Sequence, residues 1–534
     1  MKSALKTKHL TLQLLLFFLL SNLLVQHLSC RFDASNSERL SLSQKTQNKL
    51  SRLKSHLYID AYYSSDLPIE YNVRLELIRE FLNQVKKQNP DLIHLNMYDP
   101  NQSTEIREKA LKAGIVSNEI QKASDTSASS QEAFMGVVVK YDEGVDVISD
   151  LFFVEEAEMK MMRSIRKIEQ RRKIQNIAIA VDPGILPFPE PGNGSGIYTW
   201  GVFYHQAMLE EYGSAFFVSL NESEIPSQIK LLIVVGSPEW TEDANKRFDS
   251  FLAKGGSVIL LLSPMQFQLE TLRNEDGLNF KSKGFVTVSR GFGNWIDLLS
   301  FYGFSLNSDL IFDFEHPVSL SKGGTIQKKY YPLWHYAFKS SGNMHLNHDL
   351  TNGKDFLFLP WISSVDLEIK NQTEMKYETI LWSDSQSWHK KDVFQLQEDT
   401  QFTESEMIQK RVPVGILAEG RLKSKFTNQT SIFPSRIFLV STAYLVSDIF
   451  SLPEFRAAYR DTNVNFMLNV IDFMLDDNEY ISVRNKKTAV LPLNPFSTRE
   501  RNVYSAFNVI FVTFLSIAFA VRRIQKRYSG KSSV

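Results

Sequence analysis

The chain has 534 residues, too long for one ordinary hydrophobic core, and this length indicates two or more domains. Its 60 basic residues balance 60 acidic ones, so it carries no nucleic-acid-binding signature, and a hydrophobic content of 43% excludes an intrinsically disordered chain. A single cysteine excludes intrachain disulfides and any cysteine-rich metal site.

An apolar segment near the start of the chain predicts a transmembrane helix over residues 10–30. Its length is close to the roughly 20 residues that cross a bilayer. Three lysines precede it, and basic residues beside a membrane helix stay in the cytoplasm, so residues 1–9 are predicted to be a cytoplasmic tail. A cleaved signal peptide and a lipoprotein signal ending at Cys30 remain as alternatives. All three interpretations place the body of the chain outside the cytoplasm.

A polar stretch over residues 31–52 is predicted to be a stalk, followed by a domain over residues 53–172. The β-α-β-α order of the domain's first half predicts a small α/β, thioredoxin-like fold with parallel pairing. Its charged last helix is predicted to be solvated. The predicted elements are strands at 57–63 and 93–98, helices at 71–87 and 104–112, a loop at 117–131, a hairpin at 135–148 and a helix at 155–172.

A second domain is predicted over residues 175–480. Apolar runs typical of buried parallel strands alternate with helical segments, which predicts a doubly wound parallel sheet. An insertion at about 265–410 interrupts the alternation. The predicted strands lie at 177–181, 231–236, 258–262, 412–417 and 436–440, and the predicted helices at 201–212, 241–254 and 463–475.

The chain is predicted to return to the membrane at its end. Residues 481–503 are predicted to be a linker, residues 504–522 a second transmembrane helix and residues 523–534 a cytoplasmic basic tail. Both termini are then cytoplasmic, and the bulk of the chain is extracytoplasmic.

Residues with recognised catalytic spacing are missing from the sequence. It contains no phosphate-cradling G-x-x-x-x-G-K-[ST] loop and no H-E-x-x-H helix, so we predict no catalytic, cofactor-binding or metal-binding residues. His345 and His348 fall in a polar loop that we expect to be solvated. Asp182 and Glu190 precede the glycine-rich turn at residues 192–196, after the first strand of the second domain, where doubly wound folds bind ligands. They are candidate ligand contacts, although a flexible loop is the simpler interpretation.

An aromatic group in the insertion has two interpretations. Tyr331, Trp334 and Trp361 belong to it. Aromatic residues pack in cores, but they also anchor protein interfaces. We therefore name these three as candidate partner contacts and keep core packing as the alternative.

Short blocks spread over almost the whole chain resemble the GldG-like family, the auxiliary components of ABC transporters linked to gliding motility. No block is specific alone, but their order and spacing match the family. The departures are Ala34-Ser35 in place of Leu-Thr and His335 in place of a second proline. The blocks are Arg31-Phe32-Asp33, Ser41-Leu42-Ser43, Tyr62 to Pro68, Tyr98-Asp99-Pro100, Phe248 to Phe251 with Gly255-Gly256, Tyr331 to Trp334, Leu359-Pro360, Asn465-Phe466 and Ile481 to Arg484.

The resemblance implies an extracytoplasmic subunit at the bacterial inner membrane, beside a multispanning ABC permease and a separate ATPase. The family has no established catalytic residues, so the resemblance implies a non-enzymatic role in an ABC-2-type transport system. A membrane-tethered extracytoplasmic enzyme such as a hydrolase is the alternative, because the predicted fold permits one.

Overall fold

The computed structural model describes residues 41–485 and Arg522, with gaps at 66, 125–126, 171–175, 194–198, 273–280, 290–294, 322–327, 392–394, 397–407 and 452–458. The described residues up to 485 belong to one compact unit. The predicted membrane helices at 10–30 and 504–522 lie outside the described residues apart from Arg522, and they stay predictions. No described helix is both long and apolar enough to cross a membrane.

Helices and strands alternate through the first part of the chain, and strands dominate the middle. The helices are α1 (Gln44–Ser51), α2 (Ile69–Gln88), α3 (Thr104–Lys112), α4 (Val154–Gln170), α5 (Gly201–Phe203), α6 (Leu209–Tyr212), α7 (Glu242–Ala253), α8 (Trp295–Phe301), α9 (Asn465–Met474) and α10 (Glu479–Arg484). A π-helical turn, Tyr204–Met208, joins α5 to α6; a second, Arg460–Val464, precedes α9; and Asp448–Ser451 form a 3₁₀ turn.

The strands, numbered in chain order, are β1 (Leu57–Tyr63), β2 (Ile93–Tyr98), β3 (Ser117–Ser124), β4 (Ser127–Tyr141), β5 (Gly144–Ile148), β6 (Ile177–Ala180), β7 (Phe216–Val218), β8 (Leu231–Val235), β9 (Ser257–Leu261), β10 (Met265–Leu272), β11 (Lys281–Ser289), β12 (Phe304–Leu306), β13 (Asp309–Phe312), β14 (Pro317–Ser321), β15 (Lys328–Phe338), β16 (Phe356–Pro360), β17 (Val365–Leu367), β18 (Met375–Trp382), β19 (Trp388–Lys391), β20 (Gln395–Leu396), β21 (Ile408–Gln409), β22 (Pro413–Gly420) and β23 (Ser435–Val440).

The N-terminal domain is a mixed sheet with helices packed against it. β1 pairs with β2 in parallel and with β4 antiparallel, and the long strand β4 also pairs with β3 and β5. Residues 117–131 were predicted to be a loop, but they form β3 and the start of β4. Their Ser, Ala and Gln composition gives no strand signal, because the pairing partner supplies the stabilisation. The thioredoxin-like description stays a prediction.

Both ends of the described body pack into the N-terminal domain. Leu42 and Leu50 are buried in its core, so the end of the predicted stalk is helix α1, whose buried positions are spaced by four residues. Tyr480 and Val483 of α10 are buried in the same core. The predicted linker at 481–503 therefore begins as a docked helix.

The second domain is built on a seven-stranded sheet with the order β18-β22-β23-β9-β8-β6-β7. The five strands from β23 to β7 are parallel to their neighbours, while β22 and β18 are added antiparallel at one edge. Strand β22 was expected among the parallel strands, and β18 comes from the predicted insertion.

The sheet of the second domain is buried on both faces. Along β6, Ile177 and Ile179 belong to one hydrophobic core, and Ala178 and Ala180 belong to the other. Helix α9 and much of the insertion cover the first face, and helices α7 and α8 cover the second. Burial on both faces explains why the strands are continuous apolar runs. The insertion itself folds into small antiparallel sheets, including β14-β15-β16 and β13-β19-β21.

Candidate functional site

The first predicted ligand contact, Asp182, is used by the fold. Its carboxylate is 3% exposed and accepts hydrogen bonds from the main-chain N–H groups of Leu220 and Asn221, both at 3.0 Å. The Ser219 hydroxyl and the Trp240 indole N–H also donate to it, both at 2.8 Å. This carboxylate therefore fixes the turn after β7.

The second predicted ligand contact, Glu190, lies at the surface. Its side chain is 72% exposed, and Oε1 is 3.7 Å from His205 Nδ1. The structure does not join it to Asp182 in one site: Asp182 is buried, and residues 194–198, which include the end of the glycine-rich turn, lie outside the described residues.

Hydroxyl groups at the carboxyl ends of the parallel strands donate to main-chain carbonyls. Ser237 Oγ donates to the Ser263 carbonyl at 2.5 Å, Ser441 Oγ donates to Ser363, and Thr442 Oγ1 donates to Pro360 at 2.6 Å. All of these hydroxyls are buried. These three hydroxyl groups therefore hold loops together at this edge of the sheet.

The aromatic candidates lie in the core. Trp361 is fully buried, and its ring meets Trp334 edge-on with centroids 5.1 Å apart and Tyr444 at 4.9 Å. Trp334 is 5% exposed. Tyr331 takes part in β15 opposite Val318, and its side chain is not among those described. Trp334 and Trp361 are therefore packing residues, as the simpler interpretation expected.

The histidine pair lies on the loop before β16, in an environment that differs between the two rings. His345 Nε2 is 3.1 Å from Glu378 Oε1, whereas His348 Nδ1 accepts the Leu350 N–H and burial lowers the pKa of His348. The two ring centroids are 5.9 Å apart.

The feature that best qualifies as a functional site is a buried ionic network between the two domains. Arg166, on helix α4 of the N-terminal domain, is 2% exposed. Its Nη2 lies 2.5 Å from Asp472 Oδ1 of helix α9 and 3.2 Å from Asp477 Oδ2. The guanidinium lies over two tyrosine rings, 4.5 Å from the Tyr212 centroid and 4.3 Å from the Tyr480 centroid. Planar stacking of this kind favours arginine over lysine.

A second arginine completes the network from helix α10. Arg484 Nη1 donates to Asp472 Oδ2 at 2.7 Å and to Asn469 Oδ1 at 2.8 Å. Its Nη2 lies 3.6 Å from Glu211 Oε2. Glu211, on α6, also forms an ion pair with Arg163 of α4, with 2.6 Å between Glu211 Oε1 and Arg163 Nη2. The buried carboxylates Asp472 and Glu211 thus face two buried guanidinium groups, which matches the charge balance that burial requires.

The electrostatics of the network keep the two guanidinium groups charged and the two tyrosine hydroxyls neutral. Burial by itself lowers the pKa of Arg166, but Tyr212, Asp472 and Asp477 outweigh it and the pKa rises well above its usual value. Burial also lowers the pKa of Arg484, and Asp472 with Glu211 reverses the effect. Burial raises the pKa of the Tyr212 and Tyr480 hydroxyls. Tyr212 therefore stays a donor, at 2.7 Å from Asp472 Oδ1.

A cavity of about 470 Å³ opens beside the network. It lies at the amino ends of β6 and β8, and both domains contribute to its wall. Its polar and charged lining residues include Lys49, Arg166, Glu169, Lys230, Asp476 and Asp477. Ligands of open α/β sheets bind at the carboxyl ends of the strands, so this cavity is an interdomain cleft and differs from the pocket that the sequence predicted.

The mixed charges of α4 predict a solvated helix, and for this reason the sequence did not indicate the network. One signal was available: Asp472 interrupts a helix whose neighbouring residues Val470, Ile471 and Phe473 are apolar. A carboxylate on such a helix requires a cationic partner. The sequence does not indicate that the partner is Arg166, 306 residues away.

Residues 176–476 match a protein family described as "ABC-type uncharacterized transport system", and residues 36–140 match a domain of unknown function, DUF7088. An uncharacterized protein of Borreliella burgdorferi (strain ATCC 35210) is 23% identical over 506 residues, covering 91% of this chain and 90% of the relative. A solved structure, the mmIFT52 N-terminal domain, has 13% identity and a TM-score of 0.29, covering 56% of this chain and 96% of that chain, and so weak a similarity carries no argument. Because the first match spans more than half of the chain, the protein belongs to the family of auxiliary components of an ABC-type uncharacterized transport system.

Proposed function

We propose that this protein is the membrane-anchored, extracytoplasmic, GldG-like auxiliary subunit of an ABC-2-type transport system at the bacterial inner membrane. It has no ATPase activity of its own and works beside a multispanning permease and a separate ATPase. Family membership implies that it acts with other transport components. The two predicted anchors, the absence of a phosphate-cradling loop in the sequence and the resemblance to the gliding-motility family support the finer description.

The observation that carries the proposal is the meeting of the two ends of the described body. Helix α1 contacts helix α10, and Lys45 Nζ donates to the Asn478 carbonyl at 2.9 Å. The described part of the body therefore begins and ends on neighbouring helices. This arrangement suits a body held at one membrane by both ends.

The buried network suggests how such a body would act on its partners. Arg166 and Arg484 connect α4, α9 and α10, so a displacement of α10 is transmitted to both domains. An auxiliary subunit can bias a transport cycle only if it binds one state of the permease more tightly than another. A body that moves as a unit can deliver that difference in affinity.

Membrane topology is tested with single cysteines in the full chain. Cys30 is the only native cysteine, so Cys30→Ser gives a cysteine-free background. Ile432→Cys places a thiol at a position that is 80% exposed, and Ser533→Cys places one in the predicted cytoplasmic tail. With a membrane-impermeant maleimide on intact spheroplasts, we expect the first thiol to react and the second to react only after permeabilisation. Labelling of the second thiol alone on intact cells would overturn the topology.

The partnership is tested by purification of the tagged full chain from its native membrane in mild detergent. We expect a permease and an ATPase to co-purify, and an unrelated tagged single-span protein prepared in parallel to recover neither. Absence of both from the eluate contradicts the proposal. Ester or nucleotide hydrolysis by the purified chain alone would favour the membrane-tethered enzyme instead.

A further inference from the structure

Three potential metal ligands converge in the insertion, away from the ionic network. Asp313 directly follows β13, His316 directly precedes β14, and Asp384 lies in the loop after β18. One ligand atom from each lies within 4.8 Å of the others. Asp313 and Asp384 are 1% and 5% exposed, and His316 is partly buried. The group is therefore a largely enclosed cluster that brings together two loops.

The two carboxylates are oriented in the same way. Asp313 Oδ1 accepts the main-chain N–H groups of Glu315 at 2.8 Å and His316 at 2.9 Å. Asp384 Oδ1 accepts the N–H of Gln386 at 2.9 Å. Each aspartate thus uses one oxygen to fix its own loop, and its Oδ2 faces His316. Outer hydrogen bonds of this kind are what hold a metal-binding carboxylate in place.

The distances inside the cluster are longer than those of a charge-assisted hydrogen bond. His316 Nδ1 lies 3.5 Å from Asp384 Oδ2 and 3.9 Å from Asp313 Oδ2. Charge-assisted hydrogen bonds are about 2.7–2.9 Å long. Two ligand atoms that share a tetrahedral ion, each about 2.1 Å from it, are about 3.4 Å apart. The observed distances are close to the distance between two ligand atoms on one tetrahedral ion.

Two of the three central atoms lack hydrogen-bond partners among the described residues, whereas Asp384 Oδ2 accepts the Asn343 side-chain N–H at 3.4 Å. Asp313 Oδ2 and His316 Nδ1 are both buried without one. Leaving such atoms unsatisfied destabilises the fold. A single cation placed between the loops would satisfy both.

A second buried imidazole adjoins the cluster. His335 of β15 is 3% exposed, and its Nε2 also has no hydrogen-bond partner in the described part of the chain. It is paired across the sheet with Pro317, next to His316, and it interacts electrostatically with Asp313 and Asp384. Its ring also forms hydrogen bonds with the main chain at Pro332 and Ile311, so Nε2 is the ring atom left without a partner. This unsatisfied buried nitrogen is an observation independent of the three ligands.

We propose that Asp313, His316 and Asp384 bind one divalent first-row transition-metal ion through Asp313 Oδ2, His316 Nδ1 and Asp384 Oδ2. Imidazole nitrogen selects zinc, iron or nickel, whereas a site for magnesium or calcium is built from oxygen alone. The mixed donor set thus favours Zn²⁺ over Mg²⁺, and Mn²⁺, which carboxylate oxygen suits, serves as a second probe. The ion would clamp the loop between β13 and β14 to the loop after β18.

The test uses the full chain, purified in detergent with an affinity tag that contains no histidine and stripped of metal with a chelator. Zn²⁺ and Mn²⁺ are titrated by calorimetry, and Co²⁺ by visible absorption. We expect one ion per chain, and Mg²⁺ binding at least about tenfold weaker. His316→Gln should weaken Zn²⁺ binding at least about tenfold, and so should Asp313→Asn. The matched control is His345→Gln, which removes a histidine that faces Glu378 and should leave the affinity unchanged.

Metal-free thermal unfolding of each variant shows whether it is folded. His316→Gln is the cleanest substitution because, among the described residues, no main-chain hydrogen bond involves its ring. The proposal is overturned if the metal-free wild-type chain takes up none of the three probe ions stoichiometrically. It is equally overturned if a folded His316→Gln variant keeps the wild-type affinity, or if the bound ion is lost in His345→Gln.

Discussion

Arg166 Nη2 lies 2.5 Å from Asp472 Oδ1, and this contact joins residues 306 positions apart in the chain. Both side chains are almost completely removed from solvent. Asp472 also forms an ion pair with Arg484 of helix α10. A single carboxylate therefore links α4, α9 and α10. The N-terminal domain is thereby fixed to the transport-family domain by charge as well as by apolar packing. One substitution at the centre of this network should therefore affect the stability of both domains.

We expect Asp472→Asn to lower the free energy of unfolding by about 3–5 kcal/mol, because it leaves Arg166 and Arg484 buried without their shared counter-charge. The measurement is chemical denaturation of the detergent-solubilised full chain, followed by tryptophan fluorescence. Glu210→Gln is the control: Glu210 pairs with Arg163 at 3.0 Å but is 49% exposed, and its loss should cost less than about 1 kcal/mol. Equal effects of the two substitutions would contradict the buried network.

The stability of the N-terminal domain should depend on pH through Asp60. Burial alone would raise the pKa of Asp60, but hydrogen bonds from Lys140 at 2.6 Å and Asn96 at 2.9 Å outweigh it, and the pKa falls below its usual 3.8. A carboxyl group whose pKa is lower in the folded state stabilises the fold above the unfolded pKa and loses that effect as pH falls through the folded pKa. We expect Asp60→Asn to cost about 1 kcal/mol at neutral pH, since Lys140 is half-exposed and partly screened.

Denaturation of both proteins along a falling pH series measures this contribution. The difference in the free energy of unfolding between wild type and Asp60→Asn should shrink as the pH falls through the acidic range. It should vanish below the pKa of Asp60 in the folded state. Glu76→Gln serves as the control, since Glu76 is 69% exposed and should give a small difference at every pH. A difference for Asp60→Asn that grows on acidification would show the opposite sign and refute the interpretation.

The elements that the sequence predicts well are those whose pattern is set locally. Ile177–Ala180 and Leu231–Val235 are continuous apolar runs, and such runs form strands buried on both faces. Strand β3 was missed because its composition is polar and its stability comes from pairing with β4. The parallel direction expected of β22 was wrong because strand direction depends on the path of the insertion, which carries no local signal.

Side-chain roles were less predictable than strands. Asp182 follows a strand where ligands bind in related architectures, yet its carboxylate fixes a turn. Asp313 and Asp384 are far apart in sequence, and only the packing of two loops brings their Oδ2 atoms to His316. No spacing rule finds a site of that kind, because its ligands come from separate elements.

The end of α7 provides a test of backbone geometry. Gly255 has φ +89°, and its N–H donates to the Leu252 carbonyl while Gly256 N–H donates to Phe251, as in a Schellman ending. A Cβ at Gly255 would lie 2.7 Å from Phe433 Cβ. We expect Gly255→Ala to combine about 1 kcal/mol of left-handed strain with about 1–3 kcal/mol of overpacking.

Gly192→Ala isolates the two contributions. Gly192 has φ +94°, and no atom of the described residues lies within 4 Å of the position of its Cβ. The Gly192→Ala variant should lose only the stability that left-handed backbone strain costs, about 1 kcal/mol. Thermal unfolding of both variants measures the difference, and equal shifts of the midpoint would mean that Phe433 moves away at no cost.

The aromatic residues of the insertion should contribute to stability because they are packed in the core. Trp361 is fully buried with φ +45°, and its main-chain N–H donates to Leu333 at 2.9 Å. We expect Trp361→Ala to cost about 3–5 kcal/mol, since it removes a large side chain from a close-packed core. Ile432→Ala, at a position 80% exposed, should change the free energy of unfolding by about 0.5 kcal/mol or less. Denaturation of the two variants separates the interpretations: a Trp361→Ala protein with wild-type stability but weakened recovery of transport partners would make this residue a recognition contact after all.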